Sequence, residues 1–189
     1  MILYPFQENA AGVYSVAGFD ERSGAAAQEL LVVPAGEAIP AEFCGGYIFA
    51  PGREAADARQ LCLAETAAAD ARAVWVSAQP AGGDIHGFLQ VQLARWGGRL
   101  WVYIAPRAAV YPVPCVDGAG KALAPGELQA LLRRLPTHDS AALGCRYGFF
   151  RDEAGAARVL LYDTDETLRA RLALLRKLGV GQAFGVFAV

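Results

Sequence analysis

Three carboxylates, Asp163, Asp165 and Glu166, crowd into one short stretch where an apolar run ends and a helical pattern begins. Carboxylates gathered at a strand end can do acid–base chemistry or hold a metal. They can also serve a helix N-terminus, where a side-chain oxygen accepts from free backbone amides and negative charge meets the positive end of the dipole. Asp163 stands three residues before Glu166, which is the spacing of a capping box. That spacing weights the group toward capping. Two further polar residues close apolar runs: Gln79 follows AVWVSA, and Arg107 follows RLWVYIA and Pro106. In parallel α/β folds, functional groups collect at the carboxyl ends of strands. The candidate ligand-binding residues are therefore Gln79, Arg107, Asp163, Asp165 and Glu166. No catalytic set and no metal ligands are assigned.

Other constellations weigh less. His86 follows Asp84 in a glycine-rich stretch, where Asp84 is suited to cap a helix with His86 in its first turn. His138, Asp139 and Ser140 contain the residue types of a triad, but a triad is a spatial arrangement and sequence neighbours do not form one. They are assigned to a loop. The stretch Pro80 to Asp84 lacks the Gly-Lys-Ser/Thr ending of a phosphate-binding loop. Trp75 and Trp101 lie inside apolar runs and are expected in the core. Cys44, Cys62, Cys115 and Cys145 are too widely spaced for a structural zinc site and are expected as free, buried thiols.

The elements that must position these residues follow from periodicity. Val13 to Phe19 and Glu29 to Val33 are expected as an N-terminal hairpin. Phe43 to Ala50, which contains two glycines, is expected as a strand that another backbone approaches closely. Arg53 to Ala71 is alanine-rich and expected as a helix, and Ala73 to Ala78 as a strand. Ile85, Leu89 and Leu93 set a helix over 85–96, and Arg99 to Ala105 a strand. Pro106 to Gly120 is expected to be irregular. Pro125 opens a helix carrying Leu128, Leu131, Leu132 and Leu135. The runs 147–150 and 158–162, joined by Asp152 to Gly155, are expected as a hairpin. A helix follows, with Leu168, Leu172 and Leu175 inward, Arg169, Arg171, Arg176 and Lys177 mostly off that stripe, and Gly179 as its cap. Ala183 to Val189 closes the chain as an apolar strand. Strands thus alternate with helices from residue 43 onward. The expected fold class is α/β with a mostly parallel sheet: a shortened or degenerate (β/α)-barrel-like single domain over 1–189, with hairpin additions.

The closing segment, residues 145–189, resembles the last βαβ unit of family-18 glycoside hydrolases and related spore-germination barrels. Tyr162, Asp163, Leu168, Leu178, Gly179, Val180 and Gly181 carry the resemblance, and Phe187 stands where the family usually has Trp. The resemblance implies a barrel relative and a carbohydrate-active enzyme. The family's catalytic run, Asp-x-x-Asp-x-Asp-x-Glu, is absent from the chain.

A chain of 189 residues that is 54% hydrophobic can bury a large core. Charged residues make up only 19%, below the usual quarter. Such a surface fits a homo-oligomer or a protein partner. The net charge of −2 provides no field for nucleic acid or anionic lipid. No stretch of about 18 apolar residues is present, so a transmembrane helix is not expected. With no basic leader and no cysteine framework, the chain is expected in the cytoplasm. These observations favour a non-catalytic domain that binds a small ligand or a protein partner and needs no cofactor. The alternative, from the resemblance, is a glycoside-hydrolase-like enzyme acting on carbohydrate.

Overall fold

The structure is a computed structural model that describes residues 1–6, 12–44, 46–52, 57–79, 83–115 and 120–186. In chain order the first elements are β1 (Ile2–Pro5), β2 (Tyr14–Val16), β3 (Phe19–Asp20), β4 (Leu30–Val32), β5 (Tyr47–Phe49), β6 (Cys62–Leu63), β7 (Val74–Ser77), α1 (Ile85–Trp96) and β8 (Leu100–Ile104). Then come β9 (Ala108–Pro112), β10 (Lys121–Ala122), α2 (Pro125–Leu132), β11 (His138–Ser140), β12 (Cys145–Arg151), β13 (Ala157–Tyr162), α3 (Asp165–Leu178) and β14 (Gln182–Gly185).

The strands form three sheets. The first has the order β3-β1-β14-β8-β7-β6 and is parallel except for β3. The second, β10-β9-β13-β12-β11, is antiparallel throughout. The third, β2-β4-β5, is mixed and meets the first through a bridge between Ile48 and Gln60. Tyr4, Phe49, Trp101 and Phe184 form an aromatic core shared by the first and third sheets, with Phe6, Trp75 and Tyr103 packed against it. The other face of the first sheet carries Val74, Val76, Leu100 and Val102, which meet Leu89 and Trp96 of α1 and Leu172 and Leu175 of α3. Both tryptophans expected in the core are therefore in or against it.

The expectation of a mostly parallel, shortened (β/α)-barrel-like α/β domain is overturned. One sheet is wholly antiparallel, the other two are mixed, and only three α-helices occur among the described residues. Two local failures account for this. The first is the helix expected over Arg53 to Ala71. Residues 53–56 lie outside the described residues, and 57–71 are turns around the short strand β6. Here Leu61 N donates to Ile48 O at 2.8 Å, Cys62 N to Ala73 O at 3.1 Å and Ala64 N to Trp75 O at 3.0 Å. These ladder bonds, with Leu61 buried, outweigh alanine's helix preference of a few tenths of a kcal/mol per residue. The second is the stretch expected to be irregular. It contains β9, which pairs along its whole length with β13. His138 to Ser140, assigned to a loop, forms edge strand β11.

Other expectations hold. α1 occupies the predicted span, and Asp84 accepts from the amides of His86 (3.3 Å) and Gly87 (2.8 Å). The close approach predicted from glycine occurs at Gly46, where a Cβ would stand 1.8 Å from the Glu29 carbonyl oxygen. Its glycine neighbour Gly45 lies outside the described residues, as does Phe187. Gly179 caps α3 at φ 78°. No helix among the described residues is long and apolar enough to cross a membrane.

Candidate functional site

β13 delivers Asp163 to the junction of the first and second sheets, but the carboxylate does not cap the helix. Thr164 does: its hydroxyl accepts from Thr167 N at 3.3 Å, and Thr167 Oγ1 accepts from Thr164 N at 2.8 Å. The expected Asp163–Glu166 capping box is thus replaced by a threonine pair one residue on. That shift frees Asp163 for a different partner. Two turns along α3, Arg171 reaches back and donates from NH2 to Asp163 Oδ1 at 2.6 Å. Both side chains are fully enclosed, at 0% exposure each. NH2 also donates to the Gly144 carbonyl at 2.9 Å, which ties in the turn between β11 and β12. Asp163 Oδ2 accepts from Arg107 N at 2.8 Å, and Asp163 N returns a bond of 2.8 Å to Arg107 O. One carboxylate therefore joins the exit of β8, the end of β13, the body of α3 and the β11–β12 turn.

Cys145 is buried beside this cluster. Burial, chiefly, pushes its thiol up, the Asp163 carboxylate adds to the rise, and the Arg107 and Arg171 guanidiniums pull the other way. The thiol is thereby kept protonated and a poor nucleophile. All four cysteines are free; Cys44 and Cys115 are exposed and Cys62 is half-buried, so the expectation of uniform burial holds only for Cys145.

The structure thus joins Arg107 and Asp163 and places Gln79 close by, where its side-chain amide donates to the Ala105 carbonyl at the exit of β8. Asp165 stands exposed in the first turn of α3. Glu166 is also exposed, but lies on the rim of a cavity of about 460 Å³ between α1, α3 and the β11–β12 turn. Ile85, Ser140, Gly144, Cys145, Arg171 and Leu174 help to line it. Sequence periodicity missed Arg171, because it sits beside Leu172 at the margin of the apolar stripe. An arginine eight residues beyond a strand-end aspartate was the available signal. His138 lies 5.6 Å from the Tyr147 ring, and Asp139 pairs with Arg146 at 3.1 Å, so the triad-like residues serve an edge strand. Among the described residues, no group of three His, Cys, Asp or Glu side chains could hold a metal ion.

No protein-family model and no curated protein matches the chain. Solved structures similar to it include the spore cortex-lytic enzyme SleL of Bacillus cereus, at 13% identity and a TM-score of 0.47 over 62% of this chain and 31% of that one. SleL of Bacillus megaterium is 12% identical, with a TM-score of 0.46 over 62% of this chain and 30% of that one. A chitinase of Chromobacterium violaceum is 13% identical, with a TM-score of 0.47 over 63% of this chain and 41% of that one. The chain thus spans well under half the length of each. No residue role follows from a likeness this partial.

Proposed function

We propose that the chain is a non-catalytic binding domain whose small ligand seats in the cavity between α1, α3 and the β11–β12 turn. One observation carries this reading. The cavity, of about 460 Å³, sets the apolar side chains of Ile85 and Leu174 beside the polar Ser140 and Glu166, the mixed lining that suits a small ligand. The neighbouring carboxylate argues against catalysis. Asp163 is enclosed and paired, whereas a general acid or base must reach its substrate. The test is a ligand screen followed by amide chemical shifts, with acetylated chito-oligosaccharides among the compounds. Shifts should localise to residues 139–145 and 166–174 and vanish in Ala170→Trp, which fills the cavity from an exposed helix position. Hits that map elsewhere, or survive that substitution, would refute the assignment.

A second reading is an enzyme acting on carbohydrate, and Trp75 favours it. Trp75 lies, half-buried, on the wall of another cavity, of about 610 Å³, near Cys62 and Thr66. Indole faces stack well on the apolar faces of sugars. Our expectation is no turnover of chito-oligosaccharides. Turnover in the parent that disappears in Trp75→Ala, with the fold intact, would establish the enzyme instead.

A further inference from the structure

A groove of about 720 Å³ lies between the end of α2 and the turn that joins β12 to β13. Leu131, Leu135 and Phe150 form its apolar floor. Gly148 lets the chain beyond α2 lie directly on β12, because a Cβ there would stand 2.8 Å from Leu135 Cδ2. Four charged residues surround the floor: Arg134, Arg151, Asp152 and Glu153. Two of them are engaged. Asp152 accepts from Arg158 Nε at 2.8 Å and from the amides of Ala154 (3.1 Å) and Ala156 (2.9 Å). Arg151 donates from NH1 to the Gly155 carbonyl at 2.8 Å. Arg134 and Glu153 are exposed, and among the described residues neither has a hydrogen-bond or ion-pair partner.

The bonds that engage Asp152 and Arg151 also fix the turn. Its backbone adds two more, from Asp152 N to Ala156 O at 3.0 Å and from Gly155 N to Asp152 O at 2.9 Å. Beyond Glu153 the turn carries only Ala154, Gly155 and Ala156, so it is slim as well as rigid. Val113, 41% exposed, adds apolar surface beside its base, where its amide donates to Ala157 O at 3.1 Å. A turn already held in one shape loses little conformational entropy on docking.

A narrow projection and an apolar groove thus stand side by side, with a free anion on the first and a free cation on the second. A wholly acidic or wholly basic partner would meet one of these charges unfavourably. A two-fold axis answers both, because each residue then meets its counterpart's complement twice. We propose that this face is an interface between two copies of the chain. Each 152–155 turn seats in the other copy's groove, and Arg134 pairs with the partner's Glu153. The interface is separate from the cavity between α1, α3 and the β11–β12 turn, so either can fail without the other.

Sedimentation equilibrium of the intact chain tests it, beside Arg134→Glu and Glu153→Arg. Both positions are exposed, so neither reversal threatens the fold. The parent should be a dimer that dissociates on dilution. Each reversal replaces two ion pairs by two like-charge contacts and should raise the dissociation constant roughly tenfold or more. An equimolar mixture of the two variants should recover the parent's association, because opposite charges again face each other at both pairs. That recovery also shows both variants to be folded. A parent that stays monomeric up to about 1 mM, a dimer indifferent to either reversal, or variants that do not recover on mixing would overturn the interface.

Discussion

The first and second sheets bury apolar surface in opposite ways. β7, β8 and β14 are covered on both faces, by the aromatic core on one side and by α1 and α3 on the other. Their sequences are accordingly near-continuous apolar runs. The antiparallel sheet is covered along one face, where α2 sets Leu128, Leu131 and Leu132 against Val110, Leu160 and Tyr162, and on the other only around Cys145, Leu161 and Ala109. Its other face bears Tyr147 and Phe149, with Phe149 61% exposed. Two-sided burial makes a strand both legible in sequence and intolerant of change. Burial mainly on one side leaves the open positions free to vary, and the short strands β9, β10 and β11 carry little periodicity.

The difference can be broken at single residues. Trp101→Ala, in the doubly covered sheet, should cost about 3–5 kcal/mol, because Trp101 is 1% exposed and packs on Tyr4 at 4.9 Å and Tyr47 at 4.6 Å. Urea unfolding measures it, and a loss below about 1 kcal/mol would show that the aromatic core is loosely packed. Leu160→Ala, on the covered face of the antiparallel sheet, should cost about 2–5 kcal/mol, nearer the lower value if α2 settles into the space. Alkali sharpens the contrast from another side. Burial, with Tyr47 nearby, pushes the Tyr4 phenol up to about 12 from its usual 10. Below pH 10 both folded and unfolded chains keep that proton. Between pH 10 and 12 only the unfolded chain releases it, so stability is full at neutral pH and falls through this window. Tyr4→Phe should flatten the fall in a melting-temperature profile, while Tyr103, also raised by burial, sustains a residual slope. Phe149→Ser, on the open face, should change stability by no more than about 0.5 kcal/mol. A large loss there would mean that this face is covered in solution.

The same contrast explains what the sequence disclosed. β7, β8, α1, the 145–162 hairpin and α3 were legible because long apolar runs, regular leucine spacing and glycine or aspartate caps all agreed. β9, β10 and β11 were not, since short strands ending near Pro112 and Pro114 or rich in polar residues carry little periodicity. The Arg53 to Ala71 expectation failed because alanine propensity yields to a strand that must bridge Ile48 and Trp75. At the site, the importance of Asp163 was legible from its place at a strand end. Its role was not, because Thr164 and Thr167 can cap as well as Asp163 and Glu166, and periodicity does not reveal which arginine turns inward.

The central claim is that Asp163 is bound up in a structural pair with Arg171 and is closed to chemistry. The unfolding free energy of Asp163→Asn tests it most directly. Removing one partner of a buried pair leaves the other charge uncompensated, and the account expects a loss of about 3–5 kcal/mol, or failure to fold. A variant within about 0.5 kcal/mol of the parent would contradict it, because a carboxylate that stability does not need is free to act on a ligand.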